Sequence, residues 1–394
     1  MLKIQTAGES HGPGLITVID GLPAGLEIET VYINEQLKRR QQGYGRGGRM
    51  KIESDQAEFL SGVRNGLTLG SPVTMMIRNR DYENWQETMS AAPGAKKDRQ
   101  VHRPRPGHAD LAGGMKYGHN DFRNVLERTS ARETAARVAA GAICRKLLAE
   151  VNIEIYSRVI AIGQVCSECL EWAMTTENQL AIESSPVACT DEKAALQMIN
   201  AIDQARENGE SLGGVFELAA CNVPPGLGSY VQWDQRLDSR IAAAMAGIPA
   251  IKAVELGEGV KAASSPGSQV HDEIFYSEDQ GLYRTSNNAG GIEGGISNGE
   301  PILVRAYMKP IPTLYKPLIS VNIQSWEAEK AEIERSDICA VPAARVVGEA
   351  VLCQVLASEL VTKFGGDTME ELRNNFINYI NYLKKVWRWK RTSY

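Results

Sequence analysis

The chain has 394 residues, of which 43% are hydrophobic and 23% charged, the composition of an ordinary globular protein. Its 43 Lys and Arg against 48 Asp and Glu leave a net charge of −5, which argues against global attraction to nucleic acid. No apolar run approaches membrane-spanning length, the N-terminus lacks the apolar segment of a signal peptide, and the 7 scattered cysteines form no disulfide framework, so the expected compartment is the cytoplasm.

Leu15–Asp20 reads as a short strand closed by the turn Gly21-Leu-Pro-Ala-Gly25. Val31–Arg40 reads as a helix that delivers Arg39 and Arg40 to the Gly-rich loop Gly43-Tyr-Gly-Arg-Gly-Gly48. Val73–Arg78 is strand-like, and Asp81–Lys97 is expected to be polar loop. A helix runs from about Ala131 to Leu148, with Ser130 as N-cap and Glu133 in capping-box spacing. Ile153–Val165 and Gly214–Cys221 carry strand signals, and Thr190–Asn208 and Leu237–Met245 are helical. A second Gly-rich loop, Ala289–Gly299, precedes the strand Ile302–Met308. Pro342 fits the first turn of a long helix that stops at Gly365-Gly366. Strands and helices interleave without a strict βαβ rhythm, which points to an α+β or layered sandwich fold and away from a Rossmann domain. Ala135-Ala-Arg-Val138 echoes Ala343-Ala-Arg-Val346, as an internal pseudo-symmetry would, but the spacings of the flanking motifs differ and favour chance.

The cations concentrate locally. Lys38, Arg39, Arg40, Arg46, Arg49 and Lys51 follow one another without an acid, and Arg99–His108 adds more on a Pro/Gly-stiffened loop. Either this run is a solvated loop or, in an acidic chain, it marks a site for an anionic small molecule. The helix start at Ser130, flanked by Arg128 and Arg132, adds free N–H groups and partial positive charge suited to an anion. Gly8-Glu-Ser-His-Gly12 places Ser10 and His11 between glycines, and His11 is the stronger proton-transfer candidate. The pair lacks the G-x-S-x-G spacing of a hydrolase elbow. His108 is either a second proton carrier or a ring hydrogen-bonded to Asp110. Lys309-Pro-Ile-Pro-Thr313 is a rigid cationic turn, and Asp337 follows Arg335 at a helix entrance, either as an ion pair or as a proton acceptor among cations. Cys166 and Cys169 form a lone C-x-x-C without a second pair, and no metal site is expected. Neither Gly-rich loop has the dinucleotide fingerprint.

Taken in order, Gly8–Gly12, Arg39-Arg40 with Gly43–Gly48, Arg103–Asp110, Arg128–Gly141, Gly290–Gly295, Lys309–Thr313 and Arg335–Arg345 resemble chorismate synthase, over the chain to about Arg373. The resemblance implies a layered β-α-β sandwich with antiparallel sheets and a homotetramer. It implies an anti-1,4-elimination of phosphate from 5-enolpyruvylshikimate 3-phosphate, dependent on reduced FMN. Residues 1–373 would be one catalytic domain and 374–394 a basic aromatic tail. By the same resemblance His11, His108, Asp337 and Ser10 are catalytic, and Arg40 and Arg46 bind substrate anions, with Arg49, Arg105 and Arg132 beside them. Arg128, Thr129, Ser130, Ala250, Gly294, Lys309, Pro310, Ile311, Pro312, Thr313 and Arg335 would contact FMN. Pro249 and Ala253 depart from the residues expected at their positions. The flavin's electrons come either from NADPH on the protein itself or from a separate flavin reductase. A flavin reductase and a catalytically silent anion-binding protein are the competing readings. Intact His11, His108 and Asp337 argue against the second.

Overall fold

The computed structural model describes residues 1–47, 54–94, 96–168, 172–334 and 336–390. Its first half contains β1 (Lys3–Ala7), β2 (Gly14–Asp20), α1 (Thr30–Gln41), β3 (Ala57–Ser61), β4 (Val73–Arg78), α2 (Asp110–Tyr117), α3 (Arg123–Thr129) and α4 (Thr134–Ala149). Next come β5 (Glu154–Ile162), β6 (Val165–Cys166), α5 (Thr176–Ser184), α6 (Glu192–Glu207), β7 (Gly214–Cys221) and α7 (Leu237–Ala246). The chain continues through β8 (Ile251–Leu256), β9 (Ile302–Met308), α8 (Val341–Phe364) and α9 (Met369–Trp387).

The two larger antiparallel sheets have the orders β1-β2-β4-β3 and β8-β9-β7-β5-β6. Alternation sets their faces: Val73, Met75 and Ile77 of β4 are buried, as are Ile302, Val304 and Ala306 of β9. The buried face of the first sheet packs on α4, and that of the second packs on α8. The two helices meet between the sheets, giving the expected α+β sandwich with helices as its filling. Small residues permit the approach. A Cβ on Gly141 would collide with Ala350, and one on Gly348 would come 2.6 Å from the ring of Phe216. The echoed Ala-Ala-Arg-Val segments lie one near the start of each central helix.

The helix start at Ser130 differs from the expected capping box. Ser130 Oγ accepts from Arg132 N, but a 3-10 turn over Ala131–Glu133 intervenes before α4. The Glu133 carboxylate turns forward to Arg137 at 3.0 Å. A (i, i+4) ion pair has displaced the reciprocal bond to the Ser130 N–H, which goes to Leu126 O instead.

Arg39 also departs from expectation. It points into the helix layer, where its guanidinium pairs with Glu349 of α8 at 2.7 and 2.8 Å and with Glu183 of α5 at 2.6 Å. Arg145 and Arg345 join the same two carboxylates, and Ser157 donates to Glu349. Burial pushes the Glu349 carboxyl up, but the charges of Arg39 and Arg145 outweigh it and hold the group far below the usual carboxylate range. This network fixes α1 against α4 and α8. It thereby sets the position of the next residue, Arg40.

Candidate active site

The sheets and helices leave a cavity of about 390 Å³ at the end of the helix layer. Ser10, His11, Arg40, Arg46, Arg105, His108, Thr129, Ser130, Arg132, Ala250, Lys309, Ile311, Pro312, Thr313 and Asp337 all line it. These come from segments scattered over more than three hundred positions of the sequence. Arg128 lines an adjoining open pocket with Arg137 and Lys252, and its guanidinium is bonded to Thr6 of β1 and to Gly8 just after it. Neither Gly294 nor Pro310 is in the lining; Gly294 turns the hairpin Ile292–Ser297. Arg49, Arg335 and Cys169 lie outside the described residues. Cys166 is an exposed free thiol.

The first wall is the Gly8–Gly12 loop between β1 and β2. Ser10 N donates to Glu127 O at 2.9 Å, and Ser10 Oγ donates to Ser130 Oγ at 3.1 Å. Asn79 donates to the carbonyls of Glu9 and Gly12 from the other side. Gly8 has φ +104°, and a Cβ there would strike Gly14 O, so no other residue fits this turn. His11 is 6% exposed. Its Nδ1 lies 2.8 Å from Glu127 Oε1, and its backbone N–H donates to Glu127 Oε2 at 2.7 Å. Burial raises the Glu127 carboxyl, but the hydrogen bonds and charge of His11 prevail and hold it below its ordinary value.

The second wall is cationic. Arg40 is buried and spreads its donors over Thr134 Oγ1 at 2.9 Å, Ala131 O at 2.9 Å and Asp55 Oδ2 at 3.4 Å. Arg132 takes the other oxygen of Asp55 at 2.5 Å and Asn79 Oδ1 at 2.9 Å. Burial lowers the Arg40 guanidinium to about 10, with Asp55 opposing and Arg132 and Arg46 reinforcing, so it remains charged at neutral pH. Asp55 is thus a counter-ion shared by two arginines.

The Gly43–Gly47 loop brings Arg46 to Asp337, Nη1 to Oδ2 at 2.6 Å, and Gly47 N donates to the same carboxylate at 2.6 Å. A Cβ on Gly47 would sit 2.6 Å from Ser336 O, which explains the glycine.

The third wall joins two motifs about two hundred residues apart. Arg105 grips Asp110 through Nε at 2.8 Å and Nη2 at 3.1 Å, and reaches Thr313 Oγ1 at 3.0 Å. His108 Nδ1 lies 2.5 Å from Asp110 Oδ1, the expected structural bond, while the ring lines the cavity. Lys309 donates to Gly107 O at 2.5 Å. Burial and Lys252 lower the Lys309 ammonium. Ala250 faces this wall with φ +69°, a left-handed conformation that non-glycine residues rarely adopt. The floor is apolar, from Leu126, Ile248, Met308, Ala343, Ala344 and Val347.

Sequence reasoning missed Trp85, Glu127 and Asp55. Trp85 sits in the segment read as polar loop, yet it is buried and stacked on His11. A single indole in that polar run was the available signal. Glu127 and Asp55 are acids next to cation-rich motifs, and nothing local tells a counter-ion from a solvated acid.

A profile of the family described as chorismate synthase matches residues 2–361. The chain belongs to the chorismate synthase family. A chorismate synthase of Syntrophomonas wolfei is 56% identical over 396 residues, covering 99% of this chain and 100% of that protein. One of Desulforudis audaxviator is 58% identical, covering 98% of each. A solved structure titled "Crystal Structure of Chorismate Synthase" superposes with a TM-score of 0.79 at 47% identity, covering 98% of each chain. Among the described residues no helix is long and apolar enough to cross a membrane.

Proposed function

We propose that this cavity converts 5-enolpyruvylshikimate 3-phosphate to chorismate and phosphate, the shikimate-pathway lyase reaction of the family, with reduced FMN as cofactor. The observation that carries the reading is one cavity whose walls combine Arg40, Arg46, Arg132 and Lys309 with two histidines, each backed by a buried carboxylate. The substrate's phosphate and carboxylates are matched by the arginines, whose charge-assisted bonds hold and orient them. His11 gives a proton to the departing phosphate oxygen as the C–O bond breaks. Asp337 and Ser10 form the relay that accepts the proton lost from the ring carbon. His108 stands beside the flavin position. Thr129, Ser130 and the Ile311–Thr313 turn supply polar contacts above an apolar floor, which fits a flat aromatic ring carrying a polar tail. Bound reduced FMN supplies electron density that eases loss of the phosphate without net oxidation. Arg128 would bind FMN from the adjoining pocket, and Gly294 and Pro310 would contact it from outside the cavity lining; Arg335 is assigned to FMN and Arg49 to the substrate by the family resemblance alone. We place the protein in the cytoplasm as a homotetramer with outside reduction of the flavin.

Anaerobic assays separate these elements. Phosphate release is expected with photoreduced FMN, and none with oxidised FMN. Failure with reduced FMN overturns the reading. Turnover on NADPH and oxidised FMN alone would show that the protein reduces its own flavin. His108→Ala is expected to lose about two to four orders of magnitude in turnover while remaining folded. Asp337→Asn should bind substrate yet turn over very slowly.

A further inference from the structure

Three observations around His11 go beyond its place in the cavity wall. First, Glu127 holds it twice, by the backbone N–H and by the ring Nδ1. Second, the imidazole stacks on the indole of Trp85, with centroids 3.9 Å apart and an interplanar angle of 22°. Third, Trp85 is itself gripped by cations: Arg99 Cζ lies 3.9 Å and Arg123 Cζ 5.1 Å from its ring centroid. Arg123 also approaches Glu127 at 3.6 Å, bonds Glu334 at 2.8 Å and donates to Arg99 O at 3.0 Å. The ring is therefore fixed in two directions by residues that are themselves fixed. Its remaining nitrogen, Nε2, has no hydrogen bond to a described residue.

Resting on the reading of His11 as proton donor, we propose that Glu127 and Trp85 are its positioning residues. The carboxylate keeps the Nδ1 proton on the inner side and leaves Nε2 toward the cavity as the donating position, while the indole sets the ring plane.

The charge argument is direct. A donor to phosphate must carry its proton at neutral pH, but the neighbouring cations oppose a further positive charge. Arg123 faces the Glu127 side, Arg99 lies behind Trp85, and Arg132 stands on the adjoining wall. Glu334 partly offsets Arg123, and Glu9 lies beside Gly12 on the same loop. Among these groups Glu127 is the carboxylate in hydrogen-bond contact with the imidazole, and it is 3% exposed. A buried carboxylate in contact favours the imidazolium and the Nδ1–H tautomer together. After proton transfer Glu127 remains negative and draws the next proton back to the ring.

The test uses the full-length protein with photoreduced FMN and 5-enolpyruvylshikimate 3-phosphate, reading single-turnover phosphate release against pH. With an imidazolium as donor, the rate falls as rising pH removes the proton to be given. Glu127→Gln keeps the shape and removes the charge. Its falling limb is expected about one unit lower, with the low-pH rate within a few-fold of wild type and KM changed less than about twofold. Trp85→Phe should lower the rate about tenfold at every pH without moving the limb. The imidazole 15N shifts, assigned among 5 histidines with His11→Ala and read above the falling limb where the ring is neutral, should show the Nδ1–H tautomer in the wild type and its loss in Glu127→Gln. An inactive His11→Ala with an unmoved Glu127→Gln limb and tautomer overturns the role of Glu127. Wild-type rates in Trp85→Phe overturn that of the indole. A His11→Ala protein at wild-type rate overturns the donor reading itself. If Glu127→Gln does not fold, the charge-keeping Glu127→Asp decides alone: it must retain the wild-type limb, and a limb one unit lower overturns the proposal.

Discussion

Arg39 and Arg40 are neighbours in sequence and serve different ends. Successive side chains on an α-helix point about 100° apart, as the period of about 3.6 residues per turn requires. Arg39 faces Glu349 and Glu183, and Arg40 faces the cavity. Alanine at Arg40 is expected to weaken substrate binding about tenfold or more in calorimetry, with Lys restoring only part, because the ammonium lacks the forked donors that meet Thr134, Ala131 and Asp55. Alanine at Arg39 should instead destabilise the fold, by about 3–5 kcal/mol in denaturant titration, because it leaves Glu349 short of a partner in the interior. Equal affinity losses in the two variants would contradict this division. The same contrast holds for Arg105. Its guanidinium holds Asp110, Thr313 and His108 together and so shapes the wall.

At the scale of elements, α4 and α8 carry both the core and the charge network. Their contact depends on Gly141 against Ala350. Gly141→Val is expected to force the helices apart and lower stability by about 1–3 kcal/mol or more, read as a drop in Tm. The network also predicts a direction for acid stability. Glu349 and Glu183 have folded pKa values below the ordinary 4.5, Glu183 at about 2 because the hydrogen bonds and charges of Arg345 and Arg39 overcome burial. A depressed carboxyl stabilises the fold above its unfolded pKa and loses that contribution as pH falls through the folded value. Stability should therefore decline between about pH 4.5 and 2, and thermal melts should show it. Glu349→Gln should start less stable and show a shallower decline over the same window. An unchanged slope would rule out the network as the source of acid sensitivity.

At the scale of the molecule, α9 crosses the boundary drawn at Arg373. Thr368 and Glu371 form a complete capping box, and Phe376, Ile380 and Leu383 are buried. This buried stripe does not extend to the next helical position. Trp387 is 55% exposed, and Trp389 is buried. Arg388 at φ +52° ends the helix and turns the chain back, so that Trp389 pairs with Gly281 and its Nε1 lies 3.1 Å from a Cβ built on Gly299. Residues 391–394 lie outside the described residues. Truncation after Arg373 is expected to lower Tm or shift the assembly in sedimentation while turnover per folded site persists. Loss of turnover in a folded, assembled truncation would show that the tail serves the chemistry.

Elements with strong local signals are legible in the sequence. Examples are β4, β7, β9, α6, and α8 with Pro342 in its first turn. So are the motif residues that meet in the cavity, because glycines at close approaches and cations near prolines announce themselves locally. Tertiary structure alone decided the partners. Asp55 between two arginines, Glu127 behind His11, Trp85 beneath it and Arg39 turned inward are long-range pairings. A charged side chain looks the same in sequence whether it meets solvent, a ligand or a counter-ion. The choice among these depends on which segments the two sheets and the helices between them bring together.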